Sequence, residues 1–145
     1  VTLLVPFDGS ALAEAALTRA VEFGEVFEQS VVVIAVVPQG NTTYARERGW
    51  IEADESFDTE TIVSRLREQV TALAPDAAFR YERVPRAARA GSIAREIRRT
   101  ARRSEASIVF IGSDNAGRLV TALSSVGGNV AADQTYDVLI VRHTD

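Results

Sequence analysis

Cysteine and lysine are both missing from this chain of 145 residues, so all 16 basic side chains are arginine. Without cysteine there is no disulfide, no thiolate metal site and no cysteine nucleophile. The single histidine, His143, stands two residues before the end of the chain. A multi-histidine metal centre is thereby excluded and a Ser-His-Asp triad is not expected, since His143 itself reads as a solvated tail residue. No apolar run approaches the roughly 20 residues that cross a bilayer, so no membrane association is expected. The 20 acidic residues outnumber the basic ones and give a net charge of −4. That balance argues against nucleic acid as a partner, because sequence-independent binding needs a basic footprint. Strand-like sequence begins at Val1, with neither the charged nor the apolar region of a secretory signal. The absence of methionine is compatible with a removed initiator or short leader.

What is present is the composition of one soluble α/β domain, expected to span residues 1–145. Val1 to Phe7 is a nearly continuous apolar run, as in a strand buried on both faces, and Pro6 predicts its end. Asp8-Gly9-Ser10 is a turn, with Ser10 or Asp8 available to cap a helix. That helix places Leu12, Ala16, Ala20, Phe23 and Phe27 on its buried side. Ser30 to Val37 is a second buried strand, stopped by Pro38-Gln39-Gly40. Gly40 to Asp58 lacks a clear period and reads as a long loop that can include a helical turn; its Trp50 reads as packing the loop onto the body, with a lid over a ligand as the alternative. Thr59 to Ala74 carries Ile62, Leu66, Val70 and Leu73 on one stripe. Ala78 to Val84 alternates as an edge strand does.

A helix is predicted from Ser92, which would cap it, to Ser104, with Ile93, Ile97 and Ala101 inward. Its arginines, Arg95, Arg98, Arg99, Arg102 and Arg103, read as a solvated face paired with carboxylates such as Glu96. Ser107 to Ile111 is the fourth strand. It breaks at Gly112-Ser113 into a glycine- and hydroxyl-rich loop, and a short helix from about Ser125 to Asp133 follows. Strand, small-residue loop and helix start together make a phosphate cradle, because backbone N–H groups converge where the helix end is partially positive. Val138 to Arg142 is the last strand, an apolar edge open to pairing with a second copy. Strict alternation of strand and helix specifies a parallel sheet, doubly wound in three α/β/α layers with right-handed crossovers.

Three stretches, VPFDGSALAEAAL, AGSIAREIRRTARRSEASIVFIGS and SSVGGNVAADQTYDVLIVR, resemble the universal stress protein (UspA-type) family in their order and spacing. The resemblance implies an open five-stranded sheet of order 3-2-1-4-5 and a ligand between the carboxyl ends of strands one and four. It further implies an adenine nucleotide, ATP or AMP with Mg²⁺, with Asp8 at the adenosine and the backbone near Val36-Val37 at the adenine edge. The phosphates would lie against Gly112, Ser113, Gly117, Arg118, Ser124 and Ser125. The family's G-x2-G-x9-G-[ST] loop is degenerate here: Asn115 replaces the second glycine unless Gly117 serves, Ser124 replaces the last, and the spacing is one residue short. Asp114 would repel phosphate, and Arg118 would offset it. Family members that lack the motif act without ATP, through homodimerisation and protein contacts, and the residues leave that alternative open. The resemblance also implies a cytoplasmic stress-response module and a homodimer through the C-terminal edge strand. No catalytic residue, no metal site and no enzymatic activity are expected, since the cleft offers neither lysine nor a central histidine and DGSALAE lacks the SGGxDS pattern of ATP pyrophosphatases.

Overall fold

The computed structural model describes residues 2–112 and 135–144. Its elements follow in the order β1 (Thr2–Pro6), α1 (Ala11–Phe27), β2 (Ser30–Pro38), α2 (Thr42–Glu47), α3 (Thr59–Leu73), β3 (Ala78–Val84), α4 (Ala90–Arg103), β4 (Ala106–Gly112) and β5 (Asp137–Val141). All four strand pairings are parallel, in the order β3-β2-β1-β4-β5. The expected helix from Ser125 to Asp133 lies outside the described residues.

Strand side chains alternate, and the two sets of apolar residues make two cores. Leu3, Val5, Val31, Val33, Ala35 and Phe110 face α1 and α3, meeting Ala16, Leu17, Ala20, Ile62, Leu66 and Val70. Leu4, Val32, Ile34, Val109 and Ile111 face the other way, onto Ala94, Ile97 and Ala101 of α4. Strands buried on both faces explain why β1 and β2 read as unbroken apolar runs. Among the described residues no helix is long and apolar enough to cross a membrane.

Several local expectations are corrected. Phe27 is 56% exposed and reaches the core only through an edge-to-face contact with Phe23, which in turn meets Phe110. Leu73 is 36% exposed, while Val63 is buried. Ser92 does not cap α4: the helix begins at Ala90, preceded by Arg89, with no side-chain cap. Helix α2 occupies part of the predicted loop, held by Asn41, whose side-chain oxygen accepts from the Tyr44 N–H at 3.0 Å. Trp50, just beyond it, is 5% exposed and part of the α1/α3 core.

Candidate functional site

Backbone alternation opens a crevice between β1 and β4. The Phe7 N–H donates to the Ile34 carbonyl at 2.8 Å, so Phe7 turns its backbone toward β2. Successive residues alternate, so Pro6 turns toward β4, where it has no N–H to give. The β1–β4 ladder accordingly ends at Leu4↔Val109, although β1 runs on to Pro6 and β4 to Gly112. Pro6 therefore ends pairing on the β4 side only; on the other side it still pairs with Ile34. This is the point at which successive connections leave in opposite directions, the usual ligand position in open α/β sheets.

Asp8 sits at the mouth of that crevice. Its Oδ1 accepts from the Ser10 N–H at 3.0 Å, and the Ser10 hydroxyl accepts from the Ala13 N–H at 3.1 Å. Both residues named as caps thus share the job, Ser10 on the helix and Asp8 on the turn. The turn is fastened from behind. The Trp50 indole donates to the Asp8 carbonyl at 2.7 Å, and the Gln69 amide donates to the Gly9 carbonyl at 3.0 Å. Gly9 has φ +82°, and a Cβ there would crowd Gln69 and Leu66 at 3.2 Å. Trp50 is thus a pillar under the turn.

Tyr44 and Arg48 flank the same turn and were not singled out in the sequence. Tyr44 packs edge-to-face on Trp50 at 5.5 Å, and the Arg48 guanidinium lies 3.4 Å above the Tyr44 ring centre. Burial pushes the Tyr44 phenol above its ordinary range; the Arg48 charge opposes the rise and the Asp8 charge adds to it. Gln69, Tyr44 and Arg48 have no motif. Only contact with Trp50 and the Asp8-Gly9 turn brings them to the site.

Gly112 closes the opposite wall. A Cβ on it would stand 2.5 Å from the Leu12 carbonyl oxygen and 2.7 Å from the Ala13 nitrogen. Glycine is needed there because β4 ends against the backbone of the first turn of α1. Asp8 and Gly112 therefore both lie against the start of one helix. Val37 is placed differently. The Gln39 N–H donates to the Val84 carbonyl, so odd-numbered residues at the end of β2 turn their backbone to β3. Val37 pairs with Arg83, and its carbonyl accepts from the Gln39 side chain at 3.2 Å. By the same alternation Val36 is the residue whose backbone faces the β1 side beyond Phe7. Ser113, Gly117, Arg118, Ser124 and Ser125 lie outside the described residues. Among the described residues no group of three or more His, Asp or Glu side chains could hold a metal ion.

A five-stranded parallel sheet of order 3-2-1-4-5 with its crevice at the switch point defines a doubly wound α/β fold. The sequence profile of the Universal stress protein family matches residues 2–142, and the chain belongs to that family. Solved structures share the fold. A universal stress protein in complex with cAMP is 23% identical, with 99% of this chain and 97% of that chain covered and a TM-score of 0.62. The universal stress protein from Archaeoglobus fulgidus in complex with dAMP is 17% identical, with 98% of each chain covered and a TM-score of 0.58. UspA from Lactobacillus plantarum is 18% identical over 98% of this chain and 97% of that one, with a TM-score of 0.56. None of the curated proteins matches the chain.

Proposed function

We propose that the crevice binds an adenine nucleotide of the AMP class and that the chain is a nucleotide-responsive, non-enzymatic binding module of the cytoplasm. The observation that carries this reading is the convergence of Asp8 and Gly112 on the first turn of α1, where Pro6 ends the β1–β4 ladder. The fold relatives in complex with cAMP and dAMP support the ligand class. Asp8 would bond ribose hydroxyls, and the outward backbone of Val36, in preference to Val37, would meet the base edge. Gly112 with Ser113, Gly117, Arg118, Ser124 and Ser125 would take the phosphate. A loop short of glycines favours one phosphate over three, since each added Cβ limits close backbone approach. Mg²⁺ would arrive with a triphosphate, because the described part of the site offers no carboxylate cluster to hold it alone.

Calorimetric titration tests the reading. AMP should bind, and Asp8→Ala should weaken it about tenfold or more, the worth of a hydrogen bond to a charged group. No heat from AMP, cAMP or ATP up to millimolar ligand would sink it. We propose further that β5 pairs two copies: its only partner strand among the described residues is β4, and its Leu139 and Ile140 are partly exposed. Leu139→Lys should then convert a dimer to a monomer in sedimentation, and a monomeric parent chain refutes the pairing.

A further inference from the structure

Arg95, Arg99, Arg102 and Arg103 of α4 are exposed and Arg98 is half-buried, as expected of a solvated face, but that face is not flat. Arg89, Arg95 and Arg98 line one shallow depression with Pro85 and Ser92, and Arg95, Arg98, Arg99, Arg102 and Arg103 line a second. The two share Arg95 and Arg98 and so run on as one groove, about 20 Å long at the helical rise. Between Pro85 and Glu105 there are seven arginines against two glutamates. The expected carboxylate, Glu96, lies 3.6 Å from Arg99, and no ion pair joins a described carboxylate to Arg89, Arg95 or Arg103. Like charges three and four residues apart repel along a helix, so an anion bound among them relieves that repulsion.

We propose that this groove is a second binding site, for a compact ligand of linked phosphates. Guanidinium forks suit phosphate oxygens bidentately, and the spacing of successive arginine pairs along α4 offers several such contacts in a row. The lining excludes other anions of comparable charge. Among the described residues no aromatic ring borders the groove, so the bases of single-stranded nucleic acid have nothing to stack on. Its apolar members among the described residues are only Pro85, Ala87 and Ala88, which gives an acidic protein no buried anchor.

Titration of the full chain with inorganic tripolyphosphate in low salt tests the site, with orthophosphate, AMP and an oligoglutamate peptide as comparators. Tripolyphosphate should bind at least about tenfold tighter than orthophosphate, through the additional charge-assisted bonds. Saturating AMP should leave that affinity unchanged. The double variant Arg95→Gln/Arg99→Gln should weaken tripolyphosphate roughly 100-fold, about tenfold per guanidinium, while its AMP titration and unfolding curve stay those of the parent. Arg95→Lys/Arg99→Lys should fall between, keeping charge without the fork. Four results overturn the proposal: no binding at millimolar tripolyphosphate, indifference to both double variants, displacement by AMP, or tighter binding of oligoglutamate, which would make the groove a protein-docking surface.

Discussion

Gly112→Ala should lower the melting temperature by roughly 3–10 °C, whereas Gly91→Ala should leave it unchanged or raise it slightly. The substitution is the same, and the sign is set by what the new methyl meets. At Gly112 it meets backbone: the Leu12 carbonyl oxygen at 2.5 Å, the Leu12 carbonyl carbon at 2.6 Å and the Ala13 nitrogen at 2.7 Å. None of these can rotate away as a side chain could, so β4 or the first turn of α1 must shift. Overpacking of that kind costs about 1–3 kcal/mol, and more where backbone is displaced. At Gly91, inside α4, nothing lies within 4 Å, and alanine gains helix propensity of about 1 kcal/mol. Thermal or urea unfolding of the two variants reads the contrast directly. Because the turn that Gly112 presses on also carries Ser10 and Asp8, Gly112→Ala should weaken AMP along with stability. A Gly112→Ala protein as stable as the parent would show that β4 does not close on α1, and the shared wall of the crevice would be lost with it.

The sheet was readable because its strands are buried on both faces, which leaves uninterrupted apolar runs at residues 3–6, 31–38 and 108–111. Strand order needed more than pattern, since alternation specifies parallel pairing and leaves the sequence of neighbours open. The family resemblance supplied it. Errors gathered where a residue obeys helical period and the helix has already left the sheet. Phe27, in the last turn of α1, and Leu73, at the end of α3, keep the spacing of the buried stripe and yet emerge into solvent. Ser92 was chosen as a cap because serine is a good cap, yet the chain turns helical two residues earlier, after Arg89.

The candidate site was legible where a turn residue had a local duty, as with Asp8 and Ser10. It was illegible where the duty is long-range. Nothing in the sequence joins Gln69 to Gly9, 60 residues away, or Trp50 to Asp8, 42 residues away. The choice between Val36 and Val37 depends on strand parity. Parity follows from one hydrogen bond, Phe7 to Ile34, that no periodicity reveals.

Trp50→Ala should be the most damaging single change outside the sheet, at about 3–5 kcal/mol for removal of a buried indole. The side chain is 5% exposed, packs edge-to-face on Tyr44 and belongs to the α1/α3 core. Its loss would leave a cavity and also release the Asp8 carbonyl. Trp50→Phe separates the two effects, because it keeps most of the apolar volume and deletes only the N–H that reaches Asp8 at 2.7 Å. That hydrogen bond is worth about 1 kcal/mol, so Trp50→Phe should unfold only a few degrees below the parent. Its effect on AMP should be disproportionate. Of the two bonds that fasten the Asp8-Gly9 turn from behind, only that of Gln69 would remain, and a turn held less firmly loses part of the preorganisation on which ribose binding depends. Adding Gln69→Leu to Trp50→Phe removes the second fastener, and the double variant should lose more AMP affinity than the two single changes together predict, since both act on one turn. Strict additivity, or AMP affinity in Trp50→Phe equal to the parent, would mean that the turn holds its shape unaided and that the pillar serves packing alone.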